Sequence, residues 1–145
     1  MKRIGLLAIA ACLTLLVGCG GPVFYPVSGT VTLDGKPLPD ATIVFQPQDK
    51  TKGHTSTGYT NTDGKYVLEY TERTAGTTEC DYKVCITTYV NKEYGSDEEP
   101  IPVIPERVPA KYNVETTLVA KVTPEQVVFD FDLDSNGKIY QEEEE

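Results

Sequence analysis

The chain has 145 residues, of which 39% are hydrophobic, and a net charge of −9 at pH 7. A chain of this length fits one domain that can bury a core without disulfides or metals to staple it. Its acidity argues against binding to nucleic acid and against contact with anionic lipid head groups through the protein surface.

Residues 1–18 have the features of a signal peptide. Lys2 and Arg3 supply positive charge, and the apolar run that follows is shorter than the about 20 residues a membrane-spanning helix requires. The run ends at Cys19 in the letters L-V-G-C, which resemble the lipobox of bacterial lipoproteins, whose cysteine is diacylated on sulfur. Cys19 is therefore the predicted lipid attachment site. An ordinary signal peptide with Cys19 unmodified is the alternative.

Residues 19–26 are then predicted to be the lipidated N-terminus and a short linker. The peptide from Cys19 to Val27 reaches at most about 28 Å, so the domain is expected to lie close to the membrane. Buried acyl chains contribute about 0.8 kcal/mol per CH₂, which makes such an anchor effectively permanent. Gly20 after the lipidated cysteine predicts the outer membrane of a bacterial envelope, by analogy with the sorting of such proteins.

Residues 27–134 are predicted to form one all-β domain. Apolar and polar residues alternate with the period of strands that bury one face, and no segment has a helical period. Turn signals lie at D-G-K-P (34–37) and at N-T-D-G (61–64), where a hairpin is expected. An antiparallel sandwich of seven strands follows from this spacing. The alternating segments are 27–33, 41–45, 55–60, 65–70, 81–90, 116–122 and 127–133.

Two segments lack this alternation. Residues 91–110 contain four prolines, which remove hydrogen-bond donors and hold a chain extended. Because loops carry most recognition residues, this segment is the predicted recognition loop if the domain binds a partner. Residues 135–145 end in four glutamates and are predicted to be an acidic, solvated tail.

The block from Tyr25 to Pro39 reads Y-P-V-S-G-T-V-T-L-D-G-K-P-L-P, with T-D-G-K-Y at 62–66 and F-D-F at 129–131. These motifs resemble the carboxypeptidase regulatory-like, or transthyretin-like, domain, most closely its small lipobox-bearing members in planctomycete-type bacteria. The resemblance implies a seven-stranded Ig-like, prealbumin-like sandwich that serves as an accessory or binding module. A hydrolase branch of that fold uses several His and Arg residues and a C-terminal Y-R-G-S, whereas this chain has only His54 and an acidic end.

The two cysteines outside the N-terminal region are Cys80 and Cys85. Export would place them where disulfides persist. However, five residues of extended strand span about 16 Å, against about 5.5 Å between the Cα atoms of a disulfide, and the odd separation directs them to opposite faces. A disulfide would require a bend near Asp81. Zinc is disfavoured because one histidine and no C-x-x-C pair are present.

Residues 132–143 match the calcium-loop pattern D-x-[DN]-x-[DN]-G-x₅-E. Against a calcium site, the residues before Asp132 alternate as a strand, and the two residues after Glu143 leave no room for an exiting helix. The acidic-tail interpretation is favoured, so no metal ligand and no cofactor are assigned. A weak calcium site is the alternative.

No catalytic residue is predicted, because the serines of the chain lack a candidate base and His54 is expected in a loop. An exposed aromatic platform for carbohydrate could form, although there is no tryptophan and packing is the favoured role of these rings. Its candidate residues are Tyr59, Tyr89, Tyr94 and Tyr112.

The sequence thus predicts a non-enzymatic envelope lipoprotein that presents a β-sandwich as a structural or binding module. Its predicted partners are a membrane, through the lipid on Cys19, and an envelope protein or glycan; nucleic acid is not expected. A carbohydrate- or calcium-dependent adhesion module is the alternative.

Overall fold

The computed structural model describes residues 21–90 and 104–140. The predicted signal peptide and Cys19 lie outside the described residues, as do most of the proline-rich segment and the last five residues. Within the described ranges, no helix has the length and apolar character needed to cross a membrane.

The described chain is all-β, which confirms the predicted class, and it has a single short helix, a 3₁₀ turn at Ala110–Tyr112. It contains ten strands, so the expected count of seven was wrong. The strands are β1 (Ser28–Leu33), β2 (Lys36–Pro37), β3 (Thr42–Pro47), β4 (Ser56–Tyr59), β5 (Lys65–Val67), β6 (Glu69–Thr71), β7 (Thr74–Ala75), β8 (Cys80–Thr87), β9 (Val119–Val122) and β10 (Phe131–Leu133).

The strands form two sheets. In the smaller sheet β1 lies at the centre, with β10 on one side and β2 and β5 on the other; the larger sheet has the order β7-β6-β4-β3-β8-β9. β1 pairs with β10 in parallel, with Val31 opposite Phe131 and Leu33 opposite Leu133. The expectation of a wholly antiparallel sandwich was therefore wrong at this pair, although the other strand pairs described are antiparallel.

One predicted strand, 65–70, divides between the two sheets. Lys65–Val67 pairs with β1 in the smaller sheet, whereas Glu69 pairs with Thr57 of β4 in the larger one. Leu68 lies at the crossing, where its N–H donates to the Val27 carbonyl at 2.8 Å. The turn before it forms as expected, but the two strands it joins are not partners, which corrects the predicted hairpin.

The predicted alternation of buried and less buried residues is confirmed most clearly in β8, β9 and β10. Phe45 of the larger sheet contacts Phe131 and Phe129 edge-on, with ring centroids 6.4 and 5.9 Å apart. The two sheets therefore enclose one core, an arrangement consistent with a β-sandwich. Its most deeply buried apolar side chains are Val27, Val31, Ile43, Phe45, Leu68, Tyr82, Val84, Ile86, Val108 and Val122.

The strand directions define two ends of the molecule. Tyr25 and Thr77 exchange two backbone hydrogen bonds, of 2.7 and 3.0 Å, just before β1 and β8 begin. Both strands run from this end, here called the entry end, toward the turn at Asp34 and the last residue of β8, Thr87. We call that opposite end the distal end.

Candidate functional site

The described part of the long connection from β8 to β9 lies at the distal end and is organised around Glu106. This side chain is only 7% exposed, although it belongs to a stretch without strand periodicity. Burial of a carboxylate is costly unless hydrogen bonds compensate it. The surrounding contacts therefore determine how this end of the molecule is built.

Among the described residues, six donors from three parts of the chain converge on the Glu106 carboxylate. Two threonines at the end of β8 supply three donors, the connection itself supplies two backbone N–H groups, and the residue after the 3₁₀ turn supplies an amide. Oε1 accepts from Thr88 N (2.9 Å), Thr88 Oγ1 (2.7 Å), Arg107 N (2.9 Å) and Val108 N (2.9 Å), and Oε2 accepts from Thr87 Oγ1 and Asn113 Nδ2 (3.3 Å).

These contacts decide the charge state of Glu106. Burial raises the pKa of the carboxyl, but the hydrogen bonds from Thr87, Thr88 and Val108 outweigh burial and hold the pKa below its ordinary value. Glu106 is therefore ionised at neutral pH. The ionised carboxylate joins the connection to the end of β8 through these hydrogen bonds. Because its pKa is lowered, Glu106 is a poor proton acceptor.

A cleft of about 250 Å³ opens beside Glu106. Tyrosine rings, an amide and a thiol face it, so it combines apolar surface with polar groups, the usual composition of a small-molecule or side-chain site. Burial, followed by the charge of Glu106, raises the pKa of the Cys85 thiol, so the thiol stays protonated and unreactive near neutral pH. The cleft is lined by Cys85, Thr87, Tyr89, Glu106, Asn113, Val114 and Tyr140.

Asp134 forms a second polar cluster at the distal end. Lys111 Nζ donates to Asp134 Oδ1 at 2.7 Å and the Tyr112 hydroxyl donates to Oδ2 at 2.7 Å. The hydrogen bonds from Lys111 and then Tyr112 lower the pKa of Asp134 to about 2. The cluster holds the segment after β10 against the 3₁₀ turn, where the Ala110 N–H also donates to the Lys138 carbonyl at 2.8 Å.

This arrangement bears on the calcium-loop pattern. Asp134, its second carboxylate, already has a lysine partner, and Asp132 Oδ1 accepts from Thr32 Oγ1 at 2.7 Å on the sheet surface. Glu143 lies outside the described residues. Over residues 21–90 and 104–140, no three His, Cys, Asp or Glu side chains are grouped to hold a metal ion.

The other residues singled out in the sequence lie apart from one another. His54 is exposed near the entry end, with its ring centroid 5.0 Å from that of Tyr70. Cys80 and Cys85 are free thiols at positions of opposite parity along the unbroken strand β8. The candidate aromatic platform does not assemble: Tyr59 lies beside β5, Tyr89 lines the Glu106 cleft, Tyr112 binds Asp134, and Tyr94 is outside the described residues.

Sequence reasoning missed Glu106, Asn113 and Tyr140. The available signal was the pair Thr87-Thr88 at the end of the longest strand, because hydroxyls on both faces of a strand end need acceptors nearby. A carboxylate within I-P-E-R-V-P, among apolar and proline residues, was the matching candidate.

No family model matches the chain, and neither the curated proteins nor the solved structures contain a match.

Proposed function

We propose that this protein is a lipid-anchored envelope protein that presents the distal end of a transthyretin-like β-sandwich to a partner. The observation that carries the proposal is that the start of the described chain and the Glu106 cleft lie at opposite ends of the molecule. The described chain begins near the bridge between Tyr25 and Thr77, a short linker away from Cys19, whereas the 3₁₀ turn and the Glu106 cleft lie at the opposite end. A lipid on Cys19 would hold the entry end at the membrane and direct the cleft away from it.

The chemistry of the cleft supports binding rather than catalysis. Glu106 has a lowered pKa and donors on both carboxylate oxygens, while the Cys85 thiol has a raised pKa. Neither is suited to act as base or nucleophile at neutral pH, and His54 lies near the other end of the molecule. The cleft instead offers the rings of Tyr89 and Tyr140 as recognition groups for an envelope protein or a glycan.

The family assignment is part of the same proposal. The G-T-V block forms the centre of the smaller sheet as β1, and the D-G turn follows it with positive φ at Asp34 and Gly35 (51° and 75°). Two sheets around one core support a transthyretin-like sandwich in which the additional short strands are β2, β5 and β7.

The calcium- or carbohydrate-dependent adhesion alternative is weakened at its calcium loop, because Asp134 is already bound by Lys111 and Tyr112. A glycan remains one of the two partner classes for the cleft.

The test is cell fractionation combined with intact mass, comparing the natural chain with Cys19→Ser. The natural chain should sediment with the outer membrane and have the mass of residues 19–145 plus acyl groups. Cys19→Ser should lack the acyl mass and leave the membrane fraction. An unacylated natural chain in the soluble fraction would overturn the proposal.

A further inference from the structure

The outer face of the smaller sheet carries a regular arrangement of side chains that the distal end does not use. Three columns run side by side: β5, β1 in the middle, and the segment 128–132. Ser28 is paired with Val67 on one side and with Val128 on the other, and these two valines are 53% and 54% exposed. They form a row of two exposed apolar side chains around a small central one.

In the next row the central side chain is again small, but the two outer side chains are charged. Thr30 is paired with Lys65 on the β5 side, and its N–H donates to Asp130 Oδ1 at 2.7 Å on the other side. Lys65 and Asp130 are both exposed, and no salt bridge joins them across Thr30. The row therefore has a positive end and a negative end, separated by the width of one strand.

This pattern is complementary to itself. A two-fold axis parallel to β1 exchanges the left and right columns and keeps each row at its own level, as an isologous contact requires. Val67 of one copy then faces Val128 of the other, and Lys65 faces Asp130, with each contact made twice. In the row beyond, Asp132 faces the uncharged Pro37, so no like charges meet.

We propose that this face, the Ser28 face (Ser28, Thr30, Lys65, Val67, Val128 and Asp130), binds the Ser28 face of a second copy of the chain. The occupant is a second copy because both the apolar row and the charged row are satisfied by the same symmetry operation. An unrelated acidic or basic protein would leave one of the two charged columns opposed by like charge.

The axis also suits a membrane-anchored protein. Because it runs along β1, from the entry end to the distal end, both N-termini lie at the same end of the dimer and both clefts at the other. The face has six residues, fewer than the about 20–30 per side of a standard interface, so the dimer is weak in dilute solution. The association itself goes beyond the proposed function and does not require the lipid.

The edge of the larger sheet offers a competing surface for self-association. Among the described strands β9 pairs only with β8, and its Val119 is 67% exposed. Edge strands can pair with another chain through their free backbone groups. Edge pairing through β9 would not involve Lys65 or Asp130, so the two modes respond to different substitutions.

The test is sedimentation equilibrium of the full chain in mild detergent, with micelles in excess over protein. Lys65→Asp should raise the dimer dissociation constant about ten-fold or more, because two symmetric attractions become repulsions. Adding Asp130→Lys to Lys65→Asp should return the constant to within about three-fold of the natural chain, because opposite charges face each other again. Val119→Glu is the control and should leave the constant unchanged.

A natural chain that stays monomeric at millimolar concentration, or a Lys65→Asp variant that dimerises as tightly as the natural chain, would overturn the proposal. Loss of the dimer in Val119→Glu alone would assign association to the β9 edge instead. If Asp130→Lys prevents folding, Val67→Glu takes its place, since it buries a charge in the apolar row and should abolish the dimer.

Carbodiimide cross-linking of the natural chain gives an independent readout, because it joins an amine and a carboxylate in contact with loss of water. With a mixture of ¹⁵N-labelled and unlabelled chains, Lys65–Asp130 peptides of mixed isotope composition should form. Cross-links found only within one isotope species would contradict the dimer.

Discussion

Glu106 is the residue on which the distal end depends. Its carboxylate accepts hydrogen bonds from Thr88, Arg107 and Val108 with little access to water. Glu106→Gln removes the charge and presents an NH₂ group to donors that need an acceptor. We expect a loss of about 1–3 kcal/mol in the free energy of unfolding, measured with urea. Glu125→Gln, at an exposed turn, is the matched control and should change stability by less than about 0.5 kcal/mol.

The pH dependence of stability gives a second readout of Glu106→Gln. The pKa of Glu106 is lower in the folded chain than its ordinary value of 4.5, so its contribution is complete above that value. It is lost as the pH falls through the lowered folded-state pKa. Stability should therefore fall less steeply below pH 4.5 in Glu106→Gln than in the natural chain. Parallel curves would show that Glu106 does not gain its hydrogen bonds on folding.

Cys80 and Cys85 test whether β8 is straight in solution. They occupy opposite faces of one unbroken strand, so they cannot reach disulfide geometry without breaking the pairing of β8 with β3. Alkylation of the unfolded protein without reductant should modify both thiols. In the folded protein Cys85 should react slowly, because burial raises its pKa. A mass two daltons lower, together with failure to alkylate, would instead reveal a disulfide.

At the scale of elements, the central strand β1 depends on a glycine. A Cβ atom at Gly29 would overlap the carbonyl of Phe129, on the segment that runs parallel to β1. The Tyr66 hydroxyl donates to the same carbonyl at 2.8 Å, so the space is already occupied. Gly29→Ala should therefore lower the free energy of unfolding by about 3 kcal/mol.

The control for this substitution is Ser28→Ala, on the same strand but with its side chain on the outer face; it should unfold close to the natural midpoint. Thermal or urea unfolding monitored by circular dichroism measures both. Equal midpoints for Gly29→Ala and Ser28→Ala would show that β1 and the 128–132 segment are not held this closely.

The strands also show which part of the fold can be predicted from the sequence. The buried faces of β3, β8 and β10 could be predicted because alternation is a local property, set by side chains two residues apart. Strand partners could not, because they depend on contacts distant in the chain. Leu68 illustrates this: nothing near it distinguishes one continuous strand from a crossing between two sheets, and only its bond to Val27 decides.

Less of the candidate site than of the fold could be predicted from the sequence, for the same reason. Glu106 bonds to Thr88, 18 residues earlier, and to Asn113, seven residues later, with no motif linking the three. The calcium-like pattern at 132–143 is the converse case, in which a regular spacing does not by itself make a site. Its spacing is regular, yet Asp134 accepts hydrogen bonds from Lys111 and Tyr112, which belong to the 3₁₀ turn.

At the scale of the molecule, the two ends have different roles in the proposed function. The entry end holds the first described residues, with Phe24 stacked on Tyr70 at 5.0 Å between ring centroids. The distal end holds the Glu106 cleft and the Asp134 cluster. In a dimer through the Ser28 face, both entry ends lie on one side and both distal ends on the other, because the two-fold axis is parallel to β1. Two clefts would then be displayed side by side, which favours a partner with repeated binding groups through effective concentration.

The separation of the entry end from the distal end predicts the orientation of the protein on a membrane. Glu72 is exposed in the turn between β6 and β7 at the entry end, and Thr62 is exposed in the turn before β5 at the distal end. The eight residues of β8 separate the two ends by about 26 Å, comparable to the reach of the linker. A probe at residue 72 should therefore lie nearer to the lipid head groups than a probe at residue 62.

Glu72→Cys and Thr62→Cys, each labelled with the same fluorophore in a background that carries both Cys80→Ala and Cys85→Ala, allow the comparison. With the lipidated chain in vesicles that carry nitroxide head groups, quenching should be strong at 72 and weak at 62. The unlipidated Cys19→Ser chain should show neither, because it lacks the anchor. Equal quenching at both sites would mean that the sandwich lies on its side, so that the Glu106 cleft would face along the membrane plane and a membrane-embedded partner would become the better candidate.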